Sequence, residues 1–278
     1  MLTISMNPNA FSIGPLDISW YGIMVAIAVA ALLVVMLREA KRRGLNQDIY
    51  GIFLTGIVGG IVGARVAYVI YDWHYFVAHP LAVFGLQGMA QNGMLVGVVA
   101  GALIYMGIRR MRFSDLLRMG DVLAVGAPLG LAIARVGCNI RGCCYGTISP
   151  YGSFPLAVTY TNTNALAPLN TPLYPIAFYH LIWGLIVFGI VWALRDRFKP
   201  AGSLFFFFIC IFAAGDFAIR FLRVDTPVLW GLRQAQVMDL GAIVIFLPWL
   251  VVLLRQFRKK ALTAEAVSYP EQEPNQVA

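Results

Sequence analysis

The sequence predicts an all-α membrane protein of seven transmembrane helices, with its N-terminus outside and its C-terminus in the cytoplasm. Three observations carry that expectation. The chain is 60% hydrophobic and only 12% charged, about half the charged share of an ordinary soluble domain. Seven apolar stretches approach or reach the length of helix, about 20 residues, that crosses a hydrocarbon core roughly 30 Å thick. Lysines and arginines gather in short clusters after alternate stretches, which is the pattern of cytoplasmic loops.

The spans are expected at 18–37, 50–71, 91–108, 122–137, 175–194, 204–222 and 237–254, within one membrane domain over 1–260. No Lys or Arg precedes the first, so it lacks the basic n-region of a cleaved signal peptide and reads as a retained span. Arg38, Lys41, Arg42 and Arg43 follow it and place its far end inside. The second returns the chain outward. The third and fourth are short and glycine-rich; Arg109, Arg110, Arg112 and Arg118 lie between them. Arg195, Arg197 and Lys199 follow the fifth, and Arg255, Arg258, Lys259 and Lys260 follow the seventh, so the alternation is complete.

The segment from Cys138 to Tyr174 then falls outside. Its Gly, Pro, Asn and Thr content reads as turns with a short strand at 157–160, and a long ordered loop of this kind commonly rims a site. Residues 261–278 are too polar to bury a core and are expected to form a disordered cytoplasmic tail. The formal net charge of +8 does not indicate nucleic acid, because most of the basic residues sit in short clusters between apolar runs.

Six arginines have no topogenic role: Arg65, Arg135, Arg141, Arg220, Arg223 and Arg233. A charge at the bilayer centre costs about 2.5–3.5 kcal/mol on insertion scales, so an arginine within a span marks a functional site unless it snorkels to the interface. Snorkelling suits Arg223 and Arg233 best. The densest cluster is APLGLAIARVGCNIRGCCYG, residues 127–146, where Arg135 ends an apolar helix. Its guanidinium offers a fork of donors matched to phosphate oxygens, and Gly137, Gly142 and Gly146 let backbone approach a ligand closely. An anionic lipid headgroup in the outer leaflet fits this pattern.

Other polar groups leave alternatives open. Cys138, Cys143 and Cys144 read as a disulfide, as metal ligands needing partners such as His74 or His79, or as small packing residues. Cys210 reads as a buried small hydrophobe. Asp216 and Arg220 share a helix face, either as a pair that glues helices or as part of the site. Arg65 and Tyr68 sit together toward the outer end of span two. Gln91 and Asn92 open span three, where they cap the helix or face the arginines. A small-molecule transporter would show paired broken helices or repeat symmetry, and neither is visible.

These residues resemble the prolipoprotein diacylglyceryl transferase family over nearly the whole chain. The resemblance rests on WYGIM at 20–24, G-x-R-x-x-Y at 63–68, GM and then G-x-L-x-G within 88–97, and PLGL-x-x-x-RVG at 128–137. It continues through Gly146, Y-P-x-x-x-Y at 174–179, residues 219–223 in place of F-x-x-R, and Gln236. It implies a multi-pass enzyme of the bacterial inner membrane that moves the diacylglyceryl group of phosphatidylglycerol onto the lipobox cysteine of a preprolipoprotein signal peptide. Its partners would be those two substrates and the bilayer, with no metal and no organic cofactor.

Carried onto this chain residue by residue, the resemblance implies catalytic roles for Tyr21, Asn92, Arg135, Asn139 and Arg220, and substrate contacts for Arg135, Arg65, Gln91 and Gly146. Three departures define this member. Asn92 stands where the family has a histidine, and an amide is not a general base at neutral pH. Cys138 and Cys143 replace an Asn and a Glu of the signature, with Asn139 one residue on. Asp216 and Arg220 reverse the family's Arg-x-x-x-Glu, moving the guanidinium by about one helical turn, roughly 5.4 Å. A phospholipid-binding protein of the same fold with lost or altered transferase activity is the second reading.

Overall fold

Lipid offers no partner to backbone N–H and C=O groups, so an apolar run satisfies them within its own helix. The computed structural model describes residues 2–14, 16–45, 49–84 and 90–268. Strands β1 (Leu2–Ile4), β2 (Asn9–Ile13) and β3 (Leu16–Ser19) lead into α1 (Trp20–Arg43), α2 (Ile49–Tyr71) and the short α3 (Trp73–Ala78). After a 3-10 turn at Pro80–Phe84 come α4 (Gln91–Arg109), α5 (Phe113–Arg141), β4 (Val158–Tyr160), α6 (Ile176–Leu194) and α7 (Ser203–Ile219). A second 3-10 turn, Arg220–Leu222, precedes β5 (Pro227–Leu229), β6 (Leu232–Arg233) and α8 (Gln234–Ser268).

The chain is predominantly helical, and six helices among the described residues are long and apolar enough to cross a membrane. Span three of the sequence expectation corresponds to α4, where Val96–Arg109 forms a shorter apolar helix. Beside the helices, the described residues form three short two-stranded pairings: β1 with β4 in parallel, β2 with β3 and β5 with β6 antiparallel. These strands lie before and between the apolar helices, outside the membrane-spanning stretches. Helix α5 begins at Phe113 rather than near 122, because Asp115 in its first turn complements the helix dipole and carries the helix beyond its apolar stretch. Helix α8 runs to Ser268 through ALTAEAVS, good helix formers that extend into the stretch expected to be a tail. The remaining tail residues, 269–278, lie outside the described residues.

The chain divides into two compact units, Met1–Leu32 with Leu123–Ala278, and Leu33–Val122. In the second unit, α2 and α4 meet along small residues that let backbones approach, as is usual between helices in lipid. A Cβ on Gly97 would collide with the Gly59 carbonyl oxygen, one on Gly63 with that of Gly93, and one on Gly101 with that of Thr55. Gly97→Ala is therefore expected to destabilise the protein by about 1–3 kcal/mol through overpacking. Thermal unfolding of the detergent-solubilised chain checks this, with Gly107→Ala as the neutral control because a Cβ there meets nothing. The arginines at the end of α1 have a structural role here. Buried Glu39 receives Arg42 Nη2 and Arg43 Nε, each at 2.6 Å from Oε1, and Arg43 Nη1 lies 3.9 Å from buried Asp121.

In the first unit, α1 packs on α5 at Gly137, where a Cβ would stand 2.9 Å from the Tyr21 Cα. Gly184 seats α6 against α5, with Ala132 Cβ at 3.0 Å from its own would-be Cβ. Trp183 Nε1 donates to the Phe212 carbonyl at 3.2 Å, and Gln236 Nε2 to that of Phe217 at 3.2 Å, tying α6 and α8 to α7. The loop after α5 has its own small core of Val158, Tyr160, Ala167 and Leu173. That core holds the loop over the end of α5.

Candidate functional site

The site grows from the last turn of α5. Asn139 Nδ2 donates to the Arg135 carbonyl at 2.9 Å, so its amide is engaged by the helix. Gly142, at φ +69°, ends the helix in the left-handed region and sends its N–H to the Cys138 carbonyl at 2.9 Å. A side chain at 142 would also press on Ala167 and Tyr160. This turn folds Cys143 and Cys144 back toward Cys138. The three Sγ atoms lie within 4.8 Å of one another, with Cys143 and Cys144 at 3.8 Å. All four cysteines are free thiols, so the disulfide reading is set aside. Arg135, half-buried, donates from Nη1 to Cys144 Sγ at 3.6 Å.

The cluster polarises its own members. Hydrogen bonds from Cys138 and Cys143, aided by the Arg135 and Arg223 charges, hold the Cys144 thiol below the usual thiol range against its burial. Cys143, which bonds to both neighbours, is pushed up by the same contacts and then by burial. Burial and then the neighbouring sulfurs also raise the Tyr160 hydroxyl. With the Cys144 thiol shifted downward, its thiolate fraction falls less toward mildly acidic pH than that of an ordinary thiol. Alkylation of Cys144 is thus expected to lose less rate over that range than an ordinary thiol, which loses about tenfold per pH unit below its pKa near 8.5. Peptide mapping after timed alkylation checks it; a tenfold fall per unit at Cys144 would refute the shift.

A second constellation lies in the helices of the same unit. Asp216 on α7 is buried, and its Oδ2 accepts from Arg220 Nε, which also stands 3.7 Å from Asp239 Oδ2 on α8. Across the gap to α6, buried His180 brings Nε2 to 2.7 Å from Asp216 Oδ1, while Nδ1 is 3.0 Å from the Ile176 carbonyl. The ring tautomer decides which of these two contacts, to the carboxylate or to the carbonyl, carries the imidazole proton. Arg135 is within Coulombic reach of Asp216, so the network borders the cysteine cluster electrostatically. Sequence reading missed His180 and Asp239. A lone histidine and a lone aspartate inside apolar spans were the available signals.

The other expected residues separate. Tyr21 is half-buried on α1 with the Arg141 guanidinium 5.5 Å from its ring centroid. Gly146 donates its N–H to the Tyr174 carbonyl at 3.0 Å and bridges to Arg223; a Cβ there would meet the Leu222 carbonyl oxygen at 2.7 Å. Its amide is therefore engaged, and its smallness is what the fold uses. Arg223 pairs with Asp225 at 3.0 Å and Arg233 Nη2 donates to the Arg223 carbonyl at 2.6 Å, so both lace the β5–β6 hairpin rather than simply snorkelling. Arg65 belongs to the second unit. Its Nε donates to the Val83 carbonyl at 2.8 Å, its Nη2 to that of Ala82, and its guanidinium lies 5.3 Å from the Phe76 ring centroid. These contacts give it a structural role within that unit. Gln91 and Asn92 open α4 in that unit, and their side chains lie outside the described residues.

Comparison with known proteins places this geometry in context. Residues 8–253 match the family described as prolipoprotein diacylglyceryl transferase. A phosphatidylglycerol--prolipoprotein diacylglyceryl transferase of Dehalococcoides mccartyi is 35% identical over 259 residues, covering 92% of this chain and 97% of its own. Proteins of the same name from Clostridioides difficile and Symbiobacterium thermophilum are each 30% identical, the first over 86% of this chain and 92% of its own, the second over 94% and 97%.

Proposed function

Because the chain belongs to the prolipoprotein diacylglyceryl transferase family, a family of transferases acting in the first step of lipoprotein modification, we propose that its transfer takes place around Arg135. The donor is phosphatidylglycerol and the acceptor the lipobox cysteine of a preprolipoprotein signal peptide. The observation that carries this placement is a half-buried guanidinium at the end of an apolar helix, 3.6 Å from the Cys144 sulfur and roofed by an ordered loop. The fork of Arg135 holds the phosphate and stabilises the charge that gathers on it as the C–O bond breaks. Tyr21 and Arg141, stacked on each other, line the approach from α1. Arg220 acts through the Asp216 network, which sets its position and compensates its charge.

The protein crosses the bacterial inner membrane seven times, with the N-terminus outside and α4 among the spans. Parallel pairing of Leu2–Ile4 with Val158–Tyr160 supports this, since both strands then share a side and an even number of crossings separates them. The bridge between Gly146 and Arg223 makes the same demand on α6 and α7.

The test is rescue. Expression of this chain in cells depleted of their own transferase is expected to restore diacylglyceryl modification of a reporter lipoprotein, read as its mobility shift and membrane retention. Correct insertion without modification, together with retained phosphatidylglycerol binding, is the result that would favour the second reading over this one.

A further inference from the structure

We propose that Cys138, Cys143 and Cys144 bind a zinc ion whose fourth position takes the incoming acceptor thiol. This rests on the transferase reading above. Tetrahedral zinc with Zn–S bonds of about 2.3 Å sets neighbouring sulfurs roughly 3.8 Å apart. Cys143 and Cys144 already stand at 3.8 Å, and all three sulfurs lie within 4.8 Å. Small rotamer adjustments close the remaining gap. Three protein ligands with one open position are the arrangement of catalytic rather than structural zinc. Cys138 is buried and the other two are half-buried, so the cluster keeps a solvent-accessible side on which a fourth ligand can bind.

Charge supports the assignment. Three thiolates around a dication leave one net negative charge, and Arg135 Nη1, 3.6 Å from Cys144 Sγ, offsets it. The same guanidinium is the proposed phosphate contact, so a thiol bound to the ion would lie beside the phosphate-bearing carbon. The ion also meets a chemical need peculiar to this chain. Asn92 cannot take a proton from the substrate thiol, whereas a thiol that coordinates zinc is deprotonated outright. The expectation of a metal-free site came from the family, and two of these cysteines stand where the family has Asn and Glu.

The step balances without a redox partner. The substrate thiol releases its proton on binding the ion, and its sulfur lone pair forms a C–S bond to the glyceryl carbon that carries the phosphate. The C–O bond breaks, its electron pair leaves on the phosphate oxygen, and that oxygen takes up a proton, giving glycerol phosphate and the thioether. Zinc keeps its oxidation state throughout.

The test uses the full chain in detergent, reduced, stripped with a chelator, then titrated separately with Zn(II) and Co(II). One ion per chain is expected, with cobalt showing thiolate charge-transfer absorption of an intensity that reports three sulfurs. Changing all three cysteines to serine should abolish binding, and each single change should weaken it by more than the roughly 10–100-fold that loss of a supporting hydrogen bond costs. The wild-type cobalt spectrum does not depend on any variant folding. Adding a lipobox peptide should perturb the cobalt ligand-field bands, and the same peptide with serine for cysteine should not. Absence of saturable binding, or a spectrum without thiolate absorption, overturns the site. Binding that ignores the peptide thiol overturns its role in activation. A loaded protein that ligates the peptide thiol yet transfers nothing overturns the transferase reading and leaves the zinc site standing.

Discussion

Arg135→Ala is expected to lower the rate of diacylglyceryl transfer by about 10²–10³-fold, the range found when one preorganised donor to a developing oxyanion is removed. The side chain sits at the end of α5, next to the cysteine cluster and within Coulombic reach of Asp216. Its fork can hold two phosphate oxygens at once while facing the Cys144 sulfur. Arg135→Lys should recover only part of the loss, because an ammonium supplies charge without the planar pair of donors. The measurement is kcat/KM for transfer from phosphatidylglycerol vesicles to a lipobox peptide, with phosphatidylglycerol affinity measured alongside. A rate within a few-fold of wild type for the alanine variant would remove Arg135 from the site.

The second large effect falls on stability. Asp216→Ala is expected to cost about 3–5 kcal/mol, since removing one partner of a buried ion pair strands the charge of the other. Here the stranded groups would be His180, with Nε2 at 2.7 Å, and Arg220. Asp239, 3.7 Å from Arg220, is placed to compensate for only part. The network also predicts what a charge reversal requires. Exchanging the pair, Asp216→Arg with Arg220→Glu, restores the family order yet sets a cation against His180, so it should fail alone. Adding His180→Glu should recover folding. Thermal unfolding in detergent and the level of membrane-inserted protein report all three. Equal stability of the double and triple variants would show that His180 is not coupled to position 216.

The sequence was informative about this site to an uneven degree. Arg135 stood out because a cation near the end of an apolar helix has no cheap explanation. Asp216 and Arg220 were recognisable as partners because four residues bring two side chains to one helix face. His180 and Asp239 were not, because their meeting with that pair crosses helices separated by long stretches of chain. The same rule that flagged Arg135 flagged Arg65, whose donors go to the carbonyls of Ala82 and Val83, contacts that no spacing rule foretells. The cysteines left three readings open in sequence, and the left-handed turn at Gly142 is what gathers their sulfurs.

By itself, then, the sequence determined that the chain lives in lipid, where its apolar helices run and which family it resembles. Hydropathy summed over about 20 residues decides partition regardless of which way a helix is turned. Only the tertiary structure decided which polar groups meet. An apolar helix keeps the same hydropathy at any rotation about its axis, so packing alone brings His180, Asp216 and Asp239 around Arg220, and the fold of one loop brings three thiols to Arg135. The arginine at the end of α5 was visible in the sequence; the sulfur cluster it faces was a matter of how the chain turns after it.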